Sequence, residues 1–471
     1  MSQQIRLMTH NVWNCDINFP WWEERGKDCS ANARIDGIVK VYKDTLPDII
    51  GCQEVSCLMA DLLKENCKVA GLDYTLIWGR FTPILYRADK FELVAVADND
   101  KARLKPLENT NVQIFNDYKS LLDAGFELDL VAISTQDAQH KEHSIYALER
   151  GYDLLLEKPI APNEEDCYAI YECAKKNNRK VFVCHVLRYS PFYRTIKNII
   201  DEGKLGDIIN IHAMEGVGYY HMSHSFVRGP WRNSVQSSPM ILAKCCHDMD
   251  ILRYLMGEKC ISVNSYGSRK FFRQECAPEG ATVYCSDCPN AKTCIWNAQK
   301  IYTTPEYKWM AGYFVRNGDN SDENILKTLE KSQYDKCVFL NDNDVVDHQS
   351  TLMLFENGKT AVHTMTGFSK RIYRDIKIFG TKAELYGHME DNYIEIRNFG
   401  GEIEKINVDI SMATIGGHNG SDFFMMNQLY RELNGEKGEG VTYLDVSIES
   451  HLMAFAAENS RLNEGKTNKI N

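Results

Sequence analysis

A chain of 471 residues with 44% hydrophobic and 25% charged residues has the makeup of an ordinary protein of two or three domains, large enough to bury a sizeable core. Its net charge of −11 argues against nucleic acid as a partner, because phosphate binding needs a basic face. The opening MSQQIRLMTHNVWN lacks an apolar stretch flanked by positive charge, and nowhere do about 18 apolar residues run together, so neither export nor membrane spanning is expected and the cytoplasm is the expected compartment.

In chain order, residues 1–88 hold four strand-like pieces, IRLMTHNVWN, LPDIIGCQEV, YTLIWGR and TPILYR, with SCLMADLLKENC as the clearly helical stretch: an N-terminal α/β fragment. Residues 89–190 read as an incomplete Rossmann-like unit. FELVAVAD is an apolar strand ending in an acidic residue, LDLVAIST a buried strand, AQHKEHSIYALERG a helix closed by Gly151, and YDLLLEKP a strand. NEEDCYAIYECAKKNNRK is then a helix with Asn163 as N-cap, and VFVCHVL a final strand. Strand and helix alternating at this spacing imply a parallel doubly wound sheet, yet the first strand and its glycine turn are missing. The G-x-G stretch GVGYYH from Gly216 lacks a third glycine and a following acidic strand, so it reads as a chance match. DIIGCQEV, apolar and followed by a helix, is the expected filler of the empty slot between FELVAVAD and LDLVAIST.

Residues 191–471 change texture. STLMLFENGKTAVHTMTGF is two alternating runs joined by Asn357-Gly358, a hairpin signal, and RDIKIFGTKAELYGHMEDNYIEIRNF continues in kind. An open antiparallel sheet with helices on one face is expected, and the whole chain is α/β plus α+β. The C-terminal sheet is the candidate surface for a homo-oligomer.

The spaced motifs ELVAVADND, STQDAQH, LLEKPIAP, HVLRYSPF, SSPMILAKCCHDMDILRYLMG, GGHNGSDFF and SHLMAFAAENSRL resemble the Gfo/Idh/MocA family of nicotinamide-dependent sugar and polyol oxidoreductases over about residues 90–465. The resemblance implies hydride transfer at a carbinol carbon, with NAD or NADP as cofactor. It places Lys158 beside the nicotinamide and the substrate hydroxyl, where an ammonium polarises a carbonyl and stabilises an alkoxide. It makes His247 the proton-transfer residue, since imidazole exchanges protons near neutrality. Many relatives carry an Asp four residues before this His. Here that position is Ala243, and the following Lys244 is the candidate for the second polar role.

On the cofactor side the same resemblance names Asp98 for the adenosine ribose, favouring NAD over its 2′-phosphorylated form, together with Thr135, Gln136, His140, Glu157, Lys158 and Arg188. Tyr189, His418 and Asp422 fall on the substrate side. The bland alternatives are a charged strand end at Glu157-Lys158, a capping His247 and a solvated turn around His418.

Two metal readings accompany it. CSDCPNAKTC brings Cys285, Cys288 and Cys294 close in sequence, with Cys276 upstream, a set that either closes a tetrahedral zinc site or packs as free thiols. Sixteen cysteines mostly in apolar runs fit reduced thiols better than a disulfide framework. THNVWN, PDIIGCQEV and GRFTPILYRADKFELV resemble the opening of an endonuclease/exonuclease/phosphatase-type hydrolase, implying magnesium at Asn11 and Glu54. That family's later GDxN and SDH motifs are absent, and the DH pair Asp347-His348 stands in the oxidoreductase-like stretch. The sequence thus reads as chimeric: a hydrolase-like head on an oxidoreductase-like body with impaired cofactor binding. The rival functions are a magnesium hydrolase and a non-catalytic carbohydrate-binding protein.

Overall fold

The structure is a computed structural model describing residues 7–11, 49–53, 74–77, 84–87, 92–108, 110–315, 319–408, 421–436, 438 and 440–470. Glu54, His418 and the helix expected at 56–67 lie outside the described residues, as does the side chain of Asn11. Among the described residues no helix is long and apolar enough to cross a membrane.

The chain divides into two compact units, one of Met1–Phe126, Tyr189–Pro191 and Asp409–Tyr430, the other of Glu127–Arg188, Phe192–Val408 and Arg431–Asn471. In the first, the four strand-like pieces of the head form β1 (Leu7–Asn11), β2 (Ile49–Gln53), β3 (Tyr74–Ile77) and β4 (Ile84–Arg87). They make a sheet of order β1-β2-β4-β3, with β1 and β2 parallel and β4 antiparallel to both its neighbours. Separately, β5 (Ala95–Ala97) pairs in parallel with β6 (Gln113–Phe115).

This overturns the expectation that DIIGCQEV fills the Rossmann slot. Ile49–Gln53 is hydrogen-bonded to the strands of its own head sheet, and a strand has only two edges to give. Among the described residues β5 keeps one partner, β6, and its residues stay partly exposed rather than buried.

The second unit opens with the parallel sheet β7 (Val131–Ile133), β8 (Leu154–Leu156) and β9 (Val181–Val183). Its helices α1 (His140–Leu148) and α2 (Glu164–Lys176) follow β7 and β8. Asn163 caps α2 as expected, its side chain accepting from the Asp166 N–H at 2.9 Å, with Glu164, Glu165 and Asp166 complementing the positive helix start. Gly151 takes φ 85° in the turn after α1, a conformation open to glycine.

Nine strands then make one large sheet: β10 (Ile208–Gly216), β11 (Cys260–Ser268), β12 (His348–Phe355), β13 (Thr360–Thr366), β14 (Tyr373–Gly380), β15 (Ala383–His388), β16 (Tyr393–Asn398), β17 (Ile403–Asn407) and β18 (Asn468–Lys469). Their order is β17-β16-β15-β14-β10-β13-β12-β11-β18. The expected hairpin is there: β12 and β13 pair antiparallel around Asn357 (φ 60°) and Gly358 (φ 82°). The sheet is not wholly antiparallel, however, because β10 enters between β13 and β14 and runs parallel to β13. Alternation buries every second residue of β12, from Gln349 to Phe355, while the intervening ones face outward. Helices α3 (Cys246–Met256) and α5 (Leu444–Leu462) pack on this sheet, and Ser265 N–H donates to Ser460 Oγ at 2.9 Å to tie β11 to α5. Between them in sequence lies α4 (Ser421–Leu433), whose first turn carries Asp422.

The glycines of GVGYYH serve this sheet. A Cβ on Gly216 would meet the Tyr373 ring at 2.4 Å, and Gly218 holds φ 81° while its N–H donates to Ser369 Oγ at 2.8 Å. They are packing glycines of this sheet. Asp347 and His348 are likewise structural. The buried Asp347 accepts from the Phe271 N–H at 2.7 Å and contacts His348 Nδ1 at 2.8 Å where β12 begins.

Candidate functional site

Strand β8 runs directly into Glu157-Lys158-Pro159, so the pleat that buries Leu154 and Leu156 delivers Lys158 at the carboxyl end of a parallel sheet, where ligands of such sheets bind. The Lys158 ammonium donates to the Ala243 carbonyl at 3.2 Å, just before α3. Glu157 faces the other way along the chain, accepting from the Lys158 N–H at 3.1 Å.

Behind Lys158 stands a group of histidines. His247, in the first turn of α3, is buried, and its ring centroid lies 5.9 Å from that of His185, which lies 5.4 Å from that of His451. His451 Nε2 accepts from the Ile160 N–H at 2.9 Å, locking the chain just past Lys158. Desolvation above all depresses His185 to about 4, with Arg188 and Lys158 adding to it against Asp250. It likewise brings His451 to about 3. Both rings are therefore neutral near pH 7. Lys158 and His247 thus share His185 as a neighbour.

Lys244 pairs with Glu215 Oε1 at 3.2 Å, and Arg374 reaches Glu215 Oε2 at 2.8 Å and Asp248 at 2.9 Å. Glu215 comes from the end of β10 and is wholly buried. Desolvation raises its carboxyl to about 6, against the lowering effect of Arg374 and Lys244. Sequence reading missed Glu215, because it stands beside the GVGYYH glycines and no local motif marks it. Cys245, Asp248 and His363 place ligand atoms within 4.8 Å of one another, but Arg374 already neutralises Asp248, so the trio belongs to a charge network and is a poor seat for a cation.

The cofactor-side residues divide. Asp98 stands directly after β5, where its Oδ1 accepts from the Asp100 N–H at 2.8 Å. Thr135 and Gln136 are exposed on the loop after β7. His140, by contrast, is buried and bridges two carbonyls, Pro159 at 2.7 Å and Thr135 at 3.0 Å, so it binds that loop to the Lys158 segment. Arg188 forms a bidentate pair with Asp250, both contacts 2.7 Å, and its guanidinium stacks over Tyr254, a buried clamp onto α3. Tyr189 is buried, and Asp422 is half-buried at the start of α4.

The zinc expectation gains no support from the cysteine geometry. No three of Cys285, Cys288, Cys294 and Cys276 lie within 4.8 Å of one another, whereas thiolates on one zinc sit about 3.8 Å apart.

As to cofactor fit, the exposed loop after β7 and the lysine after β8 are residue types that a nicotinamide dinucleotide meets at the carboxyl end of a parallel sheet, and Asp98, in the other unit, is the strand-end acid type that meets a ribose.

Two family models match. One is described as an oxidoreductase family NAD-binding Rossmann fold, over residues 67–185, and the other as the C-terminal alpha/beta domain of the same family, over residues 197–464. No endonuclease/exonuclease/phosphatase model matches. The oxidoreductase YteT of Bacillus subtilis (strain 168) is 24% identical over 315 residues, 64% of this chain and 72% of YteT. Inositol 2-dehydrogenase 2 of Saccharopolyspora erythraea is 26% identical over 37% of this chain and 48% of its own. The chain thus spans about half the length of that dehydrogenase. Among solved structures, levoglucosan dehydrogenase in complex with NADH and levoglucosan has TM-score 0.58 at 16% identity, covering 80% of this chain and 90% of its own. An oxidoreductase domain protein from Kribbella flavida has TM-score 0.58 at 16% identity, covering 81% and 90%. With the two models together spanning most of its length, the chain belongs to the Gfo/Idh/MocA oxidoreductase family.

Proposed function

We propose that this protein oxidises a secondary hydroxyl of a cyclic polyol or sugar with NAD, Lys158 and His247 carrying the chemistry. The supporting observation is the Lys158 ammonium held against the Ala243 carbonyl on the segment that leads into His247. A bound nicotinamide would take the hydride. The chain's own part is to hold the hydroxyl and manage its proton. Lys158, released from one carbonyl contact, donates to the substrate oxygen and stabilises negative charge as it develops there. His247 accepts the hydroxyl proton, and the desolvated His185 and His451 rings keep water and competing charge away.

Lys244 takes the second polar role. Held by the wholly buried Glu215, its ammonium can orient a second substrate hydroxyl. The relatives act on inositol and levoglucosan by name, which fits a compact ring with several hydroxyls. The exposed Thr135-Gln136 loop binds the dinucleotide, with affinity weakened because the sequence before FELVAVAD carries no glycine-rich phosphate motif. The test is NAD titration of the full chain followed by NADH formation with a panel of inositols and anhydrosugars. Binding weaker than micromolar, with turnover at saturating NAD, is expected; turnover absent at saturation in both directions would leave the binding-protein reading in its place.

A further inference from the structure

We infer that Cys285, Cys288, Cys294 and Cys337 hold an iron–sulfur cluster, with the buried Arg228 as its countercation. The four side chains, drawn from a C-x-x-C segment, a cysteine six residues on and a distant fourth, line one small cavity closed by Ala281 and Phe339. Cys285 and Cys337 are buried, whereas Cys288 and Cys294 are partly exposed. All four are free thiols. Cys276, the fourth member expected from sequence, does not line the cavity and instead donates to the Lys270 carbonyl at 3.6 Å.

Spacing decides the class of metal. No three of the four sulfurs come within 4.8 Å of one another, too open for the compact tetrahedron of a single zinc. A cubane carries its four cysteine ligands on separate irons and so holds them farther apart around a volume that inorganic sulfide and iron fill. Ligation by four cysteine thiolates is the usual arrangement for such clusters.

Charge points the same way. Arg228 is fully buried, donating to the Lys336 and Trp296 carbonyls at 2.7 Å each and to Cys285 Sγ at 3.6 Å, while its Nη1 has no partner. Asp335, the nearest buried carboxylate in sequence to Cys337, is taken up by Ser286 and the Lys331 N–H. A guanidinium buried without a carboxylate partner is costly, and an anionic iron–thiolate group beside Cys285 would compensate it. Hydrogen bonds to the ligand sulfur and a nearby cation are also the means by which a protein sets a cluster's potential.

The experiment is anaerobic purification of the full chain, or reconstitution with iron and sulfide, followed by metal and acid-labile sulfide analysis and by visible and electron paramagnetic resonance spectra before and after dithionite. The expected result is about four iron and four sulfide per chain, with absorption that bleaches on reduction. Cys337→Ser should lose most of the iron and sulfide, Cys276→Ser should keep both, and Arg228→Gln should lower the midpoint potential. Stoichiometric zinc without sulfide, or a protein that stays iron-free after reconstitution with all four thiols reactive, would overturn the inference. The readouts do not depend on turnover, so they fail or succeed apart from the dehydrogenase proposal.

Discussion

Lys158 donates its ammonium proton to the carbonyl of Ala243 across 3.2 Å, joining the strand end of the parallel sheet to the segment that leads into α3. A backbone carbonyl is a weak substitute for a carboxylate, so the lysine is held in place yet keeps capacity to meet a developing negative charge. Lys158→Met should therefore lower kcat by about 10²–10³-fold with little change in melting temperature, measured by NADH formation and thermal unfolding. His247→Gln should cost about 10²–10⁴-fold in kcat, and retained activity in either variant would remove that residue from the chemistry.

Glu215 is the group whose titration should be seen in the rate. With its carboxyl raised to about 6 by burial, acidification through that value neutralises it and releases Lys244 from the pair. The rate should fall on the acid side with an apparent pKa near 6, and Glu215→Gln should flatten that limb. An unchanged profile in Glu215→Gln would detach the Glu215–Lys244 pair from turnover.

Stability should respond to pH through the buried histidines. His185 titrates near 4 in the fold against about 6.5 when unfolded, so the unfolded chain takes up the proton first as pH falls. Its stabilising effect is present above pH 6.5 and lost as pH drops towards 4, by up to about 3 kcal/mol. Glu215 works in the opposite sense: its carboxyl is raised, so its contribution is present below about 4.5 and lost as pH rises through about 6. Melting temperature followed from pH 7.5 to 4.5 should decline in the wild type and decline less in His185→Phe; equal slopes would show that this ring does not carry the effect.

Arg188 offers a clean separation of structure from binding. Its bidentate pair with Asp250 is buried, and breaking such a pair leaves an uncompensated charge costing about 3–5 kcal/mol. Arg188→Met should lose stability of that order, and Arg188→Met combined with Asp250→Leu should recover part of it. Were Arg188→Met to raise the NAD dissociation constant without lowering the melting point, the cofactor role would stand after all.

Local signals carried much of this. Asn163 before three acids announced a capped helix, and Asn357-Gly358 between alternating runs announced a hairpin; both formed because their partners lie within a few residues. Lys158 and His247 were visible through spaced motifs. Glu215 was not, because its partners Lys244 and Arg374 come from distant parts of the chain and only folding brings them together. Cys337 was hidden for the same reason, while Cys276 lay closer in sequence and proved irrelevant to the cavity. Ile49–Gln53 misled because apolar character marks a buried strand without naming its neighbours, and β1 and β4 took both of its edges. The Arg188 clamp was not legible because a motif position says nothing of Asp250, 62 residues away in the chain.

The most direct measurement is deuterium transfer from a polyol labelled at the carbinol carbon to NAD, run at saturating cofactor with wild type and Lys158→Met side by side. Wild-type protein should yield deuterated NADH in proportion to ketone formed, and Lys158→Met should yield about 10²–10³-fold less at the same protein concentration. Ketone formed without deuterium in NADH, or equal transfer by the two proteins, would contradict hydride transfer at a Lys158-centred site.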